Sequence, residues 1–395
     1  MFFYQKKLGE VNHLVASACL EYPVMVRIIQ PYKPHQDQFC EKALQKGARL
    51  THIPHISDPH LTTDVAILGD DNAPNVVIIT SGLHGVELPA GSIGQQILLD
   101  KLTDKHLADT RYIFVHALNP YGAHHALRTD LGEAGGRNID PARNFVDFNA
   151  AEFKSGEAVG AANAAIASAF EKATLSNHSL SMMWGRLLYT AFVQQGQAEF
   201  KRTFVQGQYT NPLLPYYGGT AASCTRLTWE KIVNEYILDP QHKPHIKTIY
   251  HFDIHTGDGP FGTLQLYLCK DAGEQGKAFA ENLIEADKIK VTDDYFAKVT
   301  GDIGDYWQSF DLPKEAQIIP ITMEFGTTQA RIPGIDVLGA ILNRTLLAEK
   351  YEDTHHEKEE IIQKMRTAFT PTQDNWAYAV ITQSHDLWDR FLKQT

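Results

Sequence analysis

Short apolar runs alternate with amphipathic stretches along most of the chain, a pattern that predicts strands alternating with helices. The run Val76 to Thr80 is rich in β-branched residues and stops at Ser81-Gly82, as a buried strand ending in a turn does. From Pro89 onward, apolar residues recur at helical spacing. The same criteria predict strands at 64–69, 75–80, 111–118, 248–255, 263–269 and 317–325.

Helical patterns follow most of these strands, at 223–237, 274–286 and 336–350, and in a final helix that carries Trp376 and Phe391 on one face. Strands that alternate with helices indicate a layered α/β fold with a mixed, mostly parallel sheet. We find no repeat, low-complexity tract or Pro/Ser-rich linker, so the sequence predicts one domain over residues 1–395. Residues 1–60 are predicted to form an N-terminal extension, to which the sequence assigns no role.

Composition narrows the classes of function. The chain has 395 residues, 43% of them hydrophobic and 21% charged, which is typical of a globular protein. Its 36 basic and 47 acidic residues give a net charge of −11, which argues against nucleic acid or an anionic membrane surface as a partner and favours a small-molecule or peptide substrate. Four scattered cysteines and the lack of a signal-peptide pattern predict a cytoplasmic protein with reduced thiols.

The segment "SGLHGVELPAG" places His84 and Glu87 between the predicted strand at 75–80 and the helix that follows. The carboxyl ends of strands in open α/β sheets are where ligands usually bind, and His and Glu are both zinc ligands. The alternative is local: His84 would cap the helix and Glu87 would favour its positive N-terminal end.

Two further spacings of the same kind are weaker candidates. His356 and Glu359 lie among charged residues, as on a solvated helix face, and no strand leads into them. His52 and His55 lie in an extended segment interrupted by Pro54, which predicts that they line a surface strand.

Other strand ends supply complementary groups. The strand in "IYHFDIHTGDG" delivers His255 to its end, and "IIPITMEFGT" delivers Glu324 to the end of another. The loop after "VHALNPYG" carries Arg128, and "GRNIDPARNF" is a polar loop. A catalytic zinc needs three protein ligands, an open position for water and a nearby carboxylate that accepts the proton of that water.

The motifs "HGVE", "NPYG", "NIDPARNF", "FDIHTG" and "MEFGT" together resemble those of the zinc carboxypeptidase clan. The segment "GQYTNPLLPYYGGT" at 207–220 resembles an uncharacterised bacterial branch of that clan, a domain of unknown function. The resemblance implies a three-layer α/β/α fold and one zinc ion per chain. It also implies that His84, Glu87 and His255 are the metal ligands.

The same resemblance implies that Glu324 is the general base, that Arg128 polarises the scissile carbonyl, and that Arg143 and Asn144 bind the substrate. In the clan an Asn normally precedes the arginine of the last motif and helps to hold a substrate carboxylate, whereas this chain has Ala142 there. Cleavage of an amide bond next to a carboxylate-bearing group, as in a carboxypeptidase, is therefore expected to depend on Arg143 for the grip on the carboxylate.

Three alternatives belong to other classes of function. A deacylase of small N-acyl amino acids, similar to aspartoacylase and succinylglutamate desuccinylase, shares the His-Gly-x-Glu element. A non-catalytic zinc-binding protein on the same fold would not need Glu324. The segment "GDGPFG" at 257–262 has the form of a dinucleotide-binding fingerprint, but a strand rather than a helix is predicted to follow it, which argues against such a site.

Overall fold

In a computed structural model of the chain, eight strands form one sheet in the order β1-β2-β4-β3-β5-β8-β6-β7. The structure describes residues 31–133, 135–150, 206–269, 272–291, 299–329, 335–351 and 356–394, together with Ile28 and Tyr189. The strands are β1 (Arg49–Pro54), β2 (Thr62–Leu68), β3 (Asn75–Ser81), β4 (Thr110–His116), β5 (Thr248–Pro260), β6 (Leu264–Leu268), β7 (Ile289–Val291) and β8 (Gln317–Thr328).

The centre of the sheet is parallel and its flanks are mixed. Strands β4, β3, β5 and β8 run parallel to one another, whereas β1 pairs antiparallel with β2, β2 with β4, and β6 with β8. The short strand β7 is parallel to β6. The predicted mixed sheet of an α/β fold is confirmed.

Helices cover both faces of the sheet, because its central strands bury side chains on both sides. Along β3, Val77 and Ile79 belong to one apolar cluster, whereas Val76 and Ile78 belong to another. Such runs are typical of strands sandwiched between helices. The helices are α1 (Tyr32–Gln45), α2 (Leu88–Lys101), α3 (Asp104–Leu107), α4 (Pro120–His125), α5 (Cys224–Tyr236), α6 (Gly273–Glu281), α7 (Ile335–Lys350), α8 (Lys358–Phe369) and α9 (Asp374–Phe391).

Helices α1, α2 and α9 contribute to the first cluster, and α5 contributes to the second. In α9 the indole N–H of Trp388 donates to the carbonyl of Gly94 in α2 at 2.9 Å, which ties two helices of the same layer. The apolar face expected on the last helix is therefore a packing face. None of the helices in the described part of the chain has the length and apolarity that a bilayer crossing demands.

All six predicted strands are present, with ends that differ by a few residues. The region before residue 60, predicted as an extension, contributes α1 and the edge strand β1 to this fold from Tyr32 onward. His52 lies on β1 and is mostly exposed, as expected of a surface strand. The same expectation is wrong for His55, which is 2% exposed and lies just beyond β1.

The segment 257–262 turns from the end of β5 into β6, and Gly262 donates its N–H to the carbonyl of Gly326 in β8. No helix begins there, so a pyrophosphate would find no helix N-terminus to bind. The prediction that a strand rather than a helix follows this segment is confirmed.

Candidate metal centre

The predicted metal ligands lie on neighbouring segments at the centre of the sheet. His84 and Glu87 occupy the turn between β3 and α2, and β5 runs beside β3. His255 lies in β5, directly opposite Glu324 in β8. The sequence predicted that each strand ends at these residues, but neither does. The pairing of β5 with β8 continues past a register shift between Gly257 and Pro260.

Three ligand groups converge there. The Nδ1 atoms of His84 and His255 are 3.1 Å apart, and each faces a carboxylate oxygen of Glu87, at 2.9 Å for His84 and 3.1 Å for His255. All three residues are at most 7% exposed. Two imidazole nitrogens that face each other beside a carboxylate require a proton or a metal cation between them, since lone pairs repel.

This donor set fits zinc. Tetrahedral Zn²⁺ with bonds of about 2.0–2.1 Å holds its ligand atoms about 3.3 Å apart, and the observed separations are close to that value. Two imidazoles and one carboxylate are also the ligand types of catalytic zinc sites, in which a fourth position stays open. His84, Glu87 and His255 could hold the ion without a rearrangement of the backbone.

Carboxylates support both imidazoles from behind. Asp253 Oδ2 lies 2.6 Å from His255 Nε2, and Asp140 Oδ1 lies 3.3 Å from His84 Nε2. The Thr80 hydroxyl donates to the other oxygen of Asp253 at 2.5 Å. The hydrogen bond to Asp253 fixes the protonated nitrogen of His255 at Nε2 and leaves Nδ1 available for a metal, whereas the contact of Asp140 with His84 Nε2 is not a formed hydrogen bond.

The same contacts set the charge states. Burial opposes ionisation of Glu87, but His84 and His255 lower its pKa well below the usual range. Burial likewise opposes protonation of His255, but the carboxylate of Asp253 raises its pKa well above the usual range. The carboxylates of the site therefore favour a positive charge, either a proton or a metal cation, between the imidazoles.

Arg128 joins the two halves of the site. Its Nε donates to Asp140 Oδ2 at 2.8 Å, and its Nη1 donates to Glu87 Oε1 at 3.3 Å. Burial opposes the charged form of Arg128, but the negative charges of Asp140 and Glu87 raise its pKa. Arg128 therefore remains cationic. These contacts use only part of its fork of N–H donors, so the guanidinium can also donate to a substrate oxygen.

Glu324 is held at the rim of the site. Its Oε1 accepts a hydrogen bond from the backbone N–H of Asp258 at 2.8 Å, and Tyr267 donates to the Asp258 carboxylate at 2.8 Å. Burial, and next the negative charge of Glu87, raise the pKa of Glu324 to about 8. A bound cation acts in the opposite direction, so the charge of this carboxyl responds to the metal.

Arg143 and Arg128 lie against the same ring. Their guanidinium carbons are 5.6 Å and 5.4 Å from the ring centroid of Tyr216, within the range of cation–π contacts. Arg143 is 5% exposed, and its Nη1 donates to the carbonyl of Ala142. The structure therefore brings both predicted arginines to one wall.

Asn144, also predicted to bind substrate, holds a loop instead. Its amide donates to the carbonyls of Gly218 and Ala221, and its oxygen accepts from the N–H of Ser223. Both amide hydrogens are used, so none is left for a substrate. Ala142 belongs to an apolar cluster on the sheet, so this position contributes packing rather than a donor.

Two glycines explain the motifs around the ligands. A Cβ on Gly85 would lie 2.0 Å from the backbone nitrogen of Ala123 and 2.1 Å from the carbonyl carbon of Gly122. The turn that carries His84 can therefore pack on α4 only because Gly85 has no side chain. Asn119 accepts from the N–H of Gly122 and caps α4, which accounts for "NPYG".

Other sequence candidates fall outside this site. His356 and Glu359 are exposed at the start of α8, as expected of a solvated face. Sequence reasoning gave no role to Asp140 or Tyr216, although both lie in segments that it singled out. The signal was present in "NIDPARNF" and "PYYGG", but an aspartate or tyrosine that supports another side chain has no spacing rule of its own.

A family model described as "Protein of unknown function (DUF2817)" matches residues 29–383. No match is found among curated proteins. Among solved structures, the chain is similar to carboxypeptidase A from Helicoverpa armigera, with 13% identity, a TM-score of 0.47, and coverage of 92% of this chain and 81% of that one.

The chain is also similar to a metallo-carboxypeptidase from Burkholderia cenocepacia, with 12% identity, a TM-score of 0.40, and coverage of 80% of this chain and 67% of that one. A third structure, assigned as a succinylglutamate desuccinylase/aspartoacylase from Shewanella frigidimarina, has 16% identity and a TM-score of 0.32 over 76% of this chain and 70% of that one. The expected membership of a family described as a domain of unknown function is confirmed by the family model, and at such identities the structural matches transfer no activity.

Proposed function

Because the chain belongs to the DUF2817 family, whose description assigns no activity, we propose a function from the site itself: a zinc-dependent hydrolase of the carboxypeptidase type. It would cleave an amide bond next to a carboxylate-bearing group. One catalytic zinc would be held by His84, Glu87 and His255. The observation that carries the proposal is the convergence of these three ligands beside a second carboxylate, Glu324, and a cationic guanidinium, Arg128.

Zinc, when bound, supplies a Lewis acid that lowers the pKa of water to about 7. Glu324 accepts a proton from the attacking water and later delivers it to the leaving nitrogen. The water oxygen forms the new bond to the carbonyl carbon, the C–N bond breaks, and an acid and an amine leave. Arg128 donates to the carbonyl oxygen as negative charge develops there, which stabilises the transition state more than the ground state.

Arg143 is proposed to select the carboxylate of the substrate. A guanidinium binds a carboxylate through two parallel hydrogen bonds, and this one lies against the same tyrosine ring as Arg128. Since Asn144 is committed to its loop and Ala142 to the apolar cluster, the recognition of that carboxylate rests on one side chain.

A deacylase of small N-acyl amino acids is the second candidate. The burial of the ligands, together with that of Arg143, favours a small acyl group over a long peptide. Both reactions would use the same base and the same ligands, so only the substrate distinguishes them. A comparison of turnover of N-acyl amino acids with turnover of short peptides, by the same zinc-loaded protein, separates the deacylase from the carboxypeptidase.

The proposal is tested by Glu324→Gln. The amide keeps the shape of the carboxyl but cannot accept the proton, so we expect hydrolysis to fall by about 10²–10⁴-fold while zinc content is unchanged. Zinc is measured by elemental analysis, and turnover by release of the free amine. The exposed Glu359→Gln is the matched control and should behave as the wild type. A variant that loses its zinc would identify Glu324 as a ligand, and one that keeps full activity would refute the assignment of the base.

A further inference from the structure

A second group of side chains that can bind zinc lies at the β1 edge of the sheet, where α1 packs near β1 and β2. The strand register places His52 of β1 opposite Asp64 of β2, and Asp64 opposite His116 of β4. An imidazole, a carboxylate and another imidazole thus stand in one cross-strand row. Cys40 of α1 completes the group.

The ligand atoms of this group lie close together, with His52 and Asp64 at the separation of a direct hydrogen bond that a bound ion would widen. The ligand atoms of Cys40, His52 and Asp64 all lie within 4.8 Å of one another, and His52 Nδ1 is 2.6 Å from Asp64 Oδ1. Gln36 donates to Asp64 Oδ2 at 2.9 Å and Thr62 donates to Asp64 Oδ1 at 2.9 Å, so the carboxylate is held in place by neutral donors.

Asp64 lacks a strong cationic partner. Its side chain is completely buried, yet its ion pairs among the described residues are with imidazoles only, and neither lysine nor arginine reaches it. Burial of a carboxylate is costly unless a cation compensates it.

His116 provides an independent sign of a missing partner. It is fully buried, and its Nε2 contacts the hydroxyl of Ser92 at 3.1 Å. Its Nδ1 has no hydrogen-bond partner and lies 3.9 Å from Asp64 Oδ2, too far for a hydrogen bond. A buried ring nitrogen is therefore directed at the carboxylate without bonding to it.

We propose that Cys40, His52 and Asp64 bind a second zinc ion, which pins α1 to the edge of the sheet. Thiolate, imidazole and carboxylate are all zinc ligands, and the half-exposed His52 leaves the group open to solvent. This site contains a sulfur ligand, whereas the catalytic group has none. The proposal is independent of the proposed function.

A comparable group, His55, Asp130 and Cys224, fits a hydrogen-bond network better. His55 Nδ1 accepts the N–H of Asp58, so the ring proton is on Nε2, which donates to Asp130. Thr225 saturates the other oxygen of Asp130 through its N–H and its hydroxyl. No lone pair of His55 is directed at the thiol and carboxylate, so this group serves as a control.

The test is zinc stoichiometry of the full chain, titrated with Zn²⁺ alone. We expect two ions in the wild type, one in His255→Ala, one in Cys40→Ser or His52→Ala, and none when His255→Ala is combined with either. With Co²⁺ instead, a thiolate-to-metal charge-transfer band should be present in the wild type and in Cys224→Ser, and absent in Cys40→Ser.

A single equivalent in the wild type, or a thiolate band that persists in Cys40→Ser, would overturn the second site. His52→Ala carries the test if Cys40→Ser does not fold, because the side chain of His52 is 55% exposed. Two bound ions without amide hydrolysis would refute the proposed function and support this site.

Discussion

Asp140 links the separate parts of the candidate catalytic site. One of its oxygens accepts from Arg128, and the other lies beside His84 and accepts the N–H of Ala142. A single buried carboxylate thereby contacts His84, binds Arg128 and holds the loop that leads to Arg143. Burial opposes ionisation of Asp140, but the charge of Arg128 keeps its pKa well below the usual range.

Substitution of Arg143 tests the recognition of the substrate. A hydrogen bond to a charged group contributes about 1.5–3 kcal/mol, so Arg143→Ala should lower kcat/KM for carboxylate-bearing amides by roughly 10–150-fold. Amidated analogues should lose much less. Arg137→Ala, exposed in the same loop, is the control. Equal losses on both kinds of substrate, measured as kcat/KM, would mean that Arg143 holds the loop rather than the ligand.

The sequence was most informative about the candidate metal ligands. His84, Glu87 and His255 were predicted from spacing, strand position and the clan resemblance, and their side chains converge. The carboxylate behind His84 could not be predicted in the same way, since Asp140 acts through other side chains. Asn144 shows the opposite error, because the clan resemblance implied a substrate contact, whereas both amide hydrogens of this side chain hold a loop.

At the scale of elements, the turn between β3 and α2 packs directly against the backbone of α4. Gly85 lies against the backbone of α4, which cannot move aside as a flexible side chain would. The position of His84 and Glu87 therefore depends on a backbone-to-backbone contact between two segments of the chain.

Gly85→Ala should disturb the contact between this turn and α4. A methyl group 2.0 Å from a backbone nitrogen forces the turn away from α4, so we expect a loss of about 1–3 kcal/mol or more in the free energy of unfolding, together with weaker zinc binding. Denaturant unfolding and zinc titration measure the two effects. In the control Gly136→Ala, the nearest atom is Cδ1 of Ile139 at 3.3 Å, a flexible side-chain end, and little should change. Unaltered zinc affinity in Gly85→Ala would show that the turn has room to adjust.

The elements that the sequence missed have weak patterns for physical reasons. The buried face of α1 includes His35 and Gln36, so its apolar periodicity is diluted. Strand β1 is an edge strand that ends at Pro54, and most of its residues are exposed. The central strands were predicted because burial on both faces leaves them almost continuously apolar.

At the scale of the whole molecule, the stability of the metal-free protein should depend on pH through Glu324. Its pKa is raised from 4.5 to about 8 in the fold, so the unfolded chain binds fewer protons than the folded one between these values. The free energy of unfolding should then fall as pH rises from about 4.5 to about 8. The Glu324→Gln variant removes this contribution.

Thermal unfolding in a chelator, at a series of pH values across that range, measures the effect. The wild type should lose more stability with rising pH than Glu324→Gln, in which the other titrating groups are unchanged. Parallel curves for the two proteins would contradict the raised pKa.

The order of strands in the sheet also dictates an order of assembly. Strands β1 to β4 are close in sequence and can pair early, with β3 at the open edge. The partner of that edge is β5, and the two histidines it brings together are 171 residues apart. Distant pairings form slowly, so a growing chain exposes the apolar edge of β3 until β5 is made. The apolar strand that later flanks the candidate metal centre is thus exposed during synthesis, and a chaperone that shields it would act before all three candidate ligands have come together.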